Sequence, residues 1–157
     1  MSRVSEREAF LTSGRYIATL ATENEDGSTH LTAVWYLYEE GAFLVPTSGE
    51  SRKAANVQAH GRAAVMVDAR SRGVLRGVQA SGTATVVRGR QALELNERIH
   101  RRYLTDEGLL HPQLGHPIST SDDVTLRLDP NRWASWDMRE YFGELFSAPE
   151  LVYPLDG

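Results

Sequence analysis

The chain has 157 residues, of which 41% are apolar and 24% are charged, and its net charge at pH 7 is −4. This length predicts a single domain over residues 1–157, and the acidic balance argues against nucleic acid as a partner. The chain has no cysteine, which excludes disulfides, thiolate nucleophiles and thiolate metal sites. No apolar run is long enough to cross a membrane, and the N-terminal residues contain no signal-peptide core. We therefore expect a cytoplasmic protein without a membrane partner.

The first half of the sequence predicts a short helix followed by strands that tight turns connect. The first helix is predicted from Glu6 to Leu11, and a second helix begins near Lys53 and ends near His60-Gly61. Between these helices, strands are predicted at residues 15–22, 29–38 and 42–47, with turn signals at 24–27 and 39–41.

The second half predicts further strands, one long helix and a long loop. Strands are predicted at residues 62–68 and 74–87, with a bulge or a close backbone approach at Gly82. A helix follows at 91–103, a loop at 105–123, a strand at 124–128 that 133–138 extends, and an apolar tail from Tyr141 that prolines interrupt. Five or six strands with short helices between them predict a small antiparallel barrel, mainly β.

Lys53 is the only lysine among the 17 basic residues, and it lies in a segment that suits an anion. Residues 46–53 run from the end of an apolar strand, through a polar turn, into the first turn of a helix. Free N–H groups and the positive end of the helix dipole meet there. Three hydroxyls and two cations suit a phosphate monoester, and they belong to Thr47, Ser48, Ser51, Arg52 and Lys53. The alternative is an ordinary capped surface helix with two solvated cations.

Other chemistries have little support in the sequence. Glycine-rich nucleotide motifs and a nucleophile elbow are absent, and no residue is assigned a catalytic role. The five histidines are scattered, so no metal site is expected. Asp122-Asp123 opens the final strand or lies in the turn before it. Trp133 and Trp136 are three residues apart and so face opposite sides of an extended segment, which leaves one of them free to line a groove or stack on a planar ligand.

These features resemble the pyridoxamine-5′-phosphate-oxidase-like split β-barrel family, also called the flavin/deazaflavin oxidoreductases. In that family an aromatic-Thr pair at a strand end leads to a Ser-Arg-Lys stretch, whose Arg and Lys bind the phosphate of FMN or F420. Here Pro46-Thr47 stands for the pair, and Glu50-Ser-Arg-Lys53 matches the stretch. The strand from Leu31 to Tyr36 fits the strand that lines the cofactor. Its usual first Arg is absent, and Tyr36 replaces its last Lys.

The resemblance continues through the second half and covers residues 5 to 138. The stretch from Arg76 to Gly82 looks like the family strand that has Arg-Gln-Val before a glycine. Gly77 replaces that glutamine, and Gln79, two residues on, faces the same side. Trp136 fits the family tryptophan that contacts the flavin. The Arg-Leu-His-Asp-Arg signature of true pyridoxamine phosphate oxidases is missing, which argues against that activity more than against the cofactor.

The resemblance implies an α+β fold that is mainly β, an antiparallel Greek-key split β-barrel like that of FMN-binding proteins. It also implies an oxidoreductase homodimer with two cofactors at its interface, which transfers hydride between FMN or F420 and a small organic acceptor. Arg52 and Lys53 would hold the phosphate, and Thr47 and Ser48 would donate hydrogen bonds to it or to the ribityl chain. The ring would contact the backbone of Val34 and Trp35, the side chain of Gln79, and Trp136 of the partner chain.

Several alternatives remain open at this point. The polyglutamate tail of F420 would need a basic groove, which Arg70, Arg72 and Arg76 could form, whereas the acidic net charge favours FMN. The protein could be a cofactor carrier or sensor without turnover, or a haem-binding split barrel with His30 or His116 as the ligand.

Two further predictions concern assembly and substrate. Apolar residues 33–37 and the aromatic tail exceed what one small core needs, which predicts a dimer of about 35 kDa, twice the 17.5 kDa chain. The loop at 105–121 and the tail after Met138 are predicted to shape the pocket over the reactive face of the cofactor. The alternative is that this loop is a solvated connector.

Overall fold

The computed structural model describes residues 2–69 and 75–154, and within these ranges it contains six helices and seven strands. The helices are α1 (Arg3–Ser13), α2 (Arg52–His60), α3 (Gly89–Tyr103), α4 (Asp106–Leu110), α5 (Gly115–Ser121) and α6 (Arg139–Phe146). The strands are β1 (Ala18–Glu23), β2 (Thr29–Val34), β3 (Leu37–Glu39), β4 (Ala42–Thr47), β5 (Arg62–Ala69), β6 (Arg76–Val87) and β7 (Val124–Asp137). No helix in the described ranges is both long and apolar enough to cross a membrane.

The strands form one curled antiparallel sheet in the order β2-β1-β5-β6-β7-β4-β3. The consecutive strands β5, β6 and β7 are neighbours, and β7 pairs on its other side with the earlier strand β4, which is a Greek-key arrangement. The predicted fold, an antiparallel split β-barrel of the α+β class, is confirmed. The strand count exceeds the predicted five or six because the strand predicted at 29–38 is divided into β2 and β3, with Trp35 and Tyr36 between them.

The inner face of the curled sheet holds the core, and the burial of its outer face differs from strand to strand. Along β1, Ala18, Leu20 and Thr22 are buried, whereas the residues between them are half-buried, as strand alternation requires. The strand β4 is buried at all six positions, and α3 packs against it and against β7. The core cluster includes Phe10, Tyr36, Phe43, Val65 and Leu126.

Local turn chemistry sets the ends of the elements near the candidate site. Ser51 caps α2, and its Oγ accepts the N–H of Ala54 at 3.2 Å. The helix ends at Gly61, whose φ of +66° is in the left-handed region that glycine tolerates. Both ends agree with the sequence prediction, because capping depends on adjacent residues.

The bulge predicted at Gly82 is confirmed, and it explains how β7 crosses a proline. Gly82 pairs with Pro130 while Ser81 pairs with Arg132, so Asn131 is the extra residue on β7. A Cβ on Gly82 would lie 2.1 Å from the carbonyl oxygen of Asp129, so only glycine fits. The final strand is therefore continuous over residues 124–137 rather than two segments, because a bulge accommodates a proline inside a sheet.

One sequence prediction after α3 is wrong. The segment predicted as a loop, residues 105–123, contains α4 and α5. Thr105 caps α4, and its Oγ1 accepts the N–H of Gly108 at 3.1 Å. Helices of five and seven residues have too few turns to show an apolar periodicity. The tail after Met138, for which no helix or strand is predicted, contains α6 over residues 139–146.

Candidate functional site

Four of the nine predicted site residues line one open cleft of about 500 Å³: Val34, Trp35, Thr47 and Lys53. The other residues that line it are Ile17, Ala33, Pro46, Ile118 and Asp122. The cleft thus lies where the ends of β2 and β4 meet the first turn of α2 and the end of α5. Ile118 and Asp122 come from the region after α3, so this region does contribute to the cleft wall. No residue of the tail from 139 to 154, the part that the structure describes, is among the lining residues.

Hydroxyl groups fix the shape of the turn between β4 and α2. Thr47 is 4% exposed, and its Oγ1 donates to Ser51 Oγ at 3.1 Å. Ser48 Oγ accepts the N–H of Glu50 at 3.2 Å. Because Ser51 also caps α2, the three predicted hydroxyls are joined to the turn itself, and they hold it rigid at the helix N-terminus.

Lys53 is half-buried beside this turn, and it is the one cationic side chain among the described residues that line the cleft. Burial lowers the pKa of Lys53 below its usual 10.5, and the negative charge of Asp122 opposes that shift. A partly desolvated ammonium gains more from an anion than a fully hydrated one does. The chemistry of this position therefore suits an anionic group.

A His–Asp pair that no local sequence pattern predicts joins buried His100 to half-buried Asp122, which lines the cleft. His100 is 3% exposed, and its Nε2 lies 2.8 Å from Oδ2 of Asp122. Asn96 Nδ2 donates to the backbone carbonyl of Asp122 at 3.0 Å, which fixes the chain there. The available signal was a buried stripe on α3 in which polar Asn96 and His100 follow Ala92 at intervals of four residues.

The carboxylate of Asp123 contacts a different part of the chain from that of Asp122. Asp123 Oδ1 accepts the N–H of Gly49 at 2.6 Å, so it serves one of the turn's backbone donors. The two aspartates lie between α5 and β7, in the turn before the final strand. They do not act as a pair, because one contacts His100 and the other contacts the turn after β4.

Trp35 forms the aromatic wall of the cleft. Its ring stacks on Tyr103 with centroids 4.9 Å apart and an interplanar angle of 5°, and it meets His100 edge-on at 6.3 Å. Tyr103 is fixed in turn, because its hydroxyl donates to the carbonyl of Tyr16 at 2.7 Å. The next residue, Tyr36, points into the core, where its hydroxyl donates to the carbonyl of Leu11 at 2.8 Å.

Three predicted site residues lie elsewhere in the single chain. Arg52 is exposed and lines a separate depression beside the β1–β2 turn, together with Asp26 and His30. Gln79 is exposed on the outer face of the sheet. Trp136 is 36% exposed and covers Gly77 so closely that a Cβ there would lie 2.2 Å from its ring.

Strand register gives the separation between the cleft and Gln79. Ala33, at the cleft, pairs with Thr19, Thr19 pairs with Met66, and Met66 pairs with Gln79. Three strand spacings along the sheet amount to about 14 Å. Trp136 lies one strand farther on, since β6 pairs with β7. One chain by itself therefore does not bring Gln79 and Trp136 to the cleft.

The remaining candidate ligands are dispersed. Arg76 lies 3.7 Å from Asp137 and covers the ring of Phe10 at 4.5 Å, while Arg70 and Arg72 lie outside the described residues. His116 is exposed on α5. Within residues 2–69 and 75–154, no group of three or more histidine, aspartate or glutamate side chains could hold a metal ion.

Comparison with known proteins identifies relatives of the chain. The sequence profile described as pyridoxamine 5′-phosphate oxidase matches residues 5–137. The conserved hypothetical protein Rv2991 from Mycobacterium tuberculosis is 30% identical, with 100% of this chain and 93% of that chain covered and a TM-score of 0.68. An F420 reductase is 18% identical, with coverage of 80% and 94% and a TM-score of 0.63.

A further structural neighbour is the heme storage protein HutZ from Vibrio cholerae, at 16% identity, with 87% of this chain and 95% of that chain covered and a TM-score of 0.62. At such identities, the likeness to HutZ and to the F420 reductase shows the fold alone. No curated protein matches the chain.

Proposed function

The chain belongs to the pyridoxamine 5′-phosphate oxidase family, and we propose that it is an oxidoreductase that binds FMN or F420. Bound in the cleft, such a cofactor would supply hydride transfer to or from a small organic acceptor. The observation that carries the proposal is the half-buried ammonium of Lys53 in a cleft that also has a hydroxyl and apolar walls. The missing Arg-Leu-His-Asp-Arg signature argues against pyridoxamine phosphate as the substrate.

The phosphate end of the cofactor fits the turn at the start of α2. Lys53 supplies a positive charge to the cleft, and the hydroxyl of Thr47 fixes the turn by donating to Ser51 Oγ. The N-terminus of α2, a helix of nine residues, adds the positive end of its dipole. A phosphate there would offset the cost of burying Lys53, a cost that its lowered pKa reflects.

The ring end of the cofactor fits the apolar part of the cleft. Ile17, Val34 and Ile118 line this part. The ring of Trp35 is held in place by its stacking on Tyr103, so an aromatic surface is already oriented before a planar ligand arrives. These residues would bind and orient the ring and exclude water from it, which leaves the redox step to the cofactor.

A homodimer would complete the site, with Gln79 and Trp136 of one chain reaching the cleft of the other. The support is the apolar character of the outer face, where Leu31 is 64% exposed, Ile17 50% and Trp136 36%. Large apolar side chains that are exposed on a folded chain are typical of an interface. A two-fold symmetric contact between identical faces would place two equivalent sites in the dimer.

Two other functions remain candidates for the same fold. A carrier or sensor would bind the cofactor without passing hydride to an acceptor. A haem-binding protein is favoured by the likeness to HutZ, with exposed His116 or half-buried His30 as the ligand.

The absorption spectrum of the purified protein, followed by titration with FMN, F420 and hemin, separates these functions. The proposal expects saturable binding of FMN or F420 and transfer of hydride from its reduced form to members of a panel of small acceptors. Binding of hemin alone would overturn the proposal. Binding of FMN or F420 without transfer to any acceptor would support the carrier instead.

A further inference from the structure

A second recess lies beside the N-terminal helix, where β6 begins and β7 ends. Its volume is about 310 Å³, and α1, β6 and β7 supply the residues that line it. None of these residues lines the cleft at Lys53. A recess of this size suits a small organic ligand, so the charges and surfaces of its walls determine which class of ligand fits.

Positive charge predominates in this recess. Its charged lining residues are three arginines and two carboxylates, namely Arg3, Arg7, Arg76, Glu6 and Asp137. Asp137 is already bound by Arg139, whose Nε and Nη2 donate to its two oxygens at 2.8 and 2.5 Å. Glu6 is exposed, so water can solvate its carboxylate. The arginines of the recess therefore outnumber the carboxylates that could neutralise them.

Arg7 lacks an anionic partner. The central carbon of its guanidinium lies 3.7 Å from the centre of the Trp133 ring, which therefore covers one face of the group. The five N–H donors of a guanidinium lie in its plane, so this stacking leaves them without an acceptor. Nε is buried and has no hydrogen-bond partner within residues 2–69 and 75–154. A buried donor without a partner costs free energy, which a bound anion would recover.

Arg76 is held in a similar way. The central carbon of its guanidinium lies 4.5 Å from the centre of the Phe10 ring. Its Nε is 3.7 Å from Asp137, which is longer than a hydrogen bond, and Asp137 is hydrogen-bonded to Arg139 instead. Aromatic rings thus orient both Arg7 and Arg76 before a ligand arrives, which reduces the entropy that binding would cost.

Trp136 supplies a flat wall to the same recess. Its ring lies against the backbone of Gly77, where a Cβ would be 2.2 Å from the ring, so the lack of a side chain at this position makes room for the indole. The tryptophan remains 36% exposed. A planar apolar group can stack on such an exposed indole.

We infer that the recess is a binding site for a small planar organic carboxylate. Arg7 and Arg76 pair with the carboxylate, because the parallel N–H donors of a guanidinium match its two oxygens, and Trp136 contacts the flat body of the ligand. This site goes beyond the proposed function, since it needs no cofactor and, within one chain, shares no residue with the cleft that would hold one.

The test measures binding of three small molecules to the wild-type protein by isothermal titration calorimetry. Benzoate has the charge and the planar body, acetate has only the charge, and benzamide has only the body. The same titrations are made with Arg7→Gln and Arg76→Gln, and with Arg7→Lys in case Arg7→Gln does not fold. Arg90→Gln is the matched control, because it removes the same charge from an exposed position on α3.

We expect saturable binding of benzoate, with acetate and benzamide at least about tenfold weaker. Each glutamine variant should lose about tenfold or more in benzoate affinity, as for a hydrogen bond to a charged group. Arg7→Lys should lose less, because it keeps the charge but not the planar fork, and Arg90→Gln should bind as the wild type does. Benzoate should also shift the nuclear magnetic resonance signal of the Trp136 indole N–H, which Trp136→Phe identifies.

Three results would overturn the inference: no saturable binding of benzoate to the wild-type protein, equal binding of benzamide and benzoate, or a Trp136 signal that benzoate does not move. Benzoate affinity that is unchanged in the folded arginine variants would overturn it as well. The indole signal is measured on the wild-type protein, so it decides the matter even if an arginine variant does not fold.

Discussion

The cleft at Lys53 and the outer face of the sheet each contain part of the predicted site. The two regions differ in burial, in hydrogen bonding and in polarity. Thr47, which lines the cleft, is 4% exposed, and His100, which contacts the cleft residue Asp122, is 3% exposed; hydrogen bonds fix both side chains. On the outer face, Gln79 is exposed, and large apolar side chains such as Leu31 lie open. One half is therefore formed within a single chain, and the other is a surface.

This difference suggests separate roles for the two regions, cofactor binding for the cleft and dimer formation for the outer face. The polar, partly buried half is rigid before any ligand arrives, so it suits the part of the cofactor that must be recognised by charge. The open half has the character of an interface, and its predicted contacts with the ring would form only when a second chain covers it. Substitutions in the two halves should consequently produce different kinds of defect.

The largest effect is expected from Lys53→Ala, which should weaken binding of the phosphate-bearing cofactor by about 1.5–3 kcal/mol, the range for a hydrogen bond to a charged group. Lys53→Arg should be milder, because a planar guanidinium does not replace a compact ammonium. Fluorescence titration checks both, with riboflavin as the ligand that should not respond. Equal cofactor affinities of the wild-type protein and Lys53→Ala would show that the phosphate does not bind at Lys53.

Arg52→Ala, in the same turn of α2, provides a comparison with Lys53→Ala. Because Arg52 is exposed and lines the depression beside the β1–β2 turn, its loss should cost much less affinity than the loss of Lys53. If the two alanine variants lose affinity equally, both cations hold the phosphate, as the family resemblance implies, and the turn must rearrange on binding.

The next largest effect on cofactor affinity is expected from a substitution on the outer face of the sheet. We expect the wild-type protein to be a dimer of about 35 kDa, twice the 17.5 kDa chain, and Leu31→Arg to shift it to the monomer. Leu31 is 64% exposed, so the substitution should leave the folded chain intact. Cofactor affinity should fall by about tenfold, as for the loss of an interface contact. Light scattering that finds a monomeric wild type with cofactor bound would contradict a site shared by two chains.

The pH dependence of cofactor affinity should distinguish the ammonium of Lys53, which can lose its proton, from the permanently charged guanidinium of Lys53→Arg. Burial lowers the pKa of Lys53 below 10.5, so the ammonium of the free protein loses its proton at a lower pH than an ordinary lysine does. Affinity for the phosphate should therefore be complete at neutral pH and fall as the pH rises through that lowered value. Lys53→Arg should retain its affinity there, because a guanidinium stays charged. The ratio of cofactor to riboflavin affinity at each pH corrects for titration of the ring.

The smallest effect is expected at the wall that α5 contributes. Ile118 is half-buried and lines the cleft, so Ile118→Ala should lower affinity for the cofactor by about 1 kcal/mol, in proportion to the apolar area lost. Turnover or the range of acceptors should change more than affinity if this wall shapes the pocket over the reactive face. Leu110→Ala, at an 84% exposed position on the neighbouring α4, is the control. If the kinetics with a panel of acceptors are unchanged, α4 and α5 only connect α3 to β7 and do not shape the pocket.

The amino-acid sequence by itself located the turn at residues 46–53 and the limits of α2, because capping and turn formation depend on adjacent residues. It also predicted the bulge at Gly82, since a glycine inside a long strand marks a close backbone approach. In the same way, alternating apolar residues predicted most strands and therefore the barrel. These features are encoded locally.

Only the tertiary structure decided which distant residues share the cleft. His100 and Asp122 are 22 residues apart, and Trp35 meets His100 across 65 positions of sequence, so no local pattern could join them. The tertiary structure also directed neighbours apart: Lys53 faces the cleft while Arg52 lines another depression, and Asp122 and Asp123 contact different partners. Residue type and spacing establish which groups are available, whereas the curl of the sheet and the packing of α3 and α5 determine where each group points.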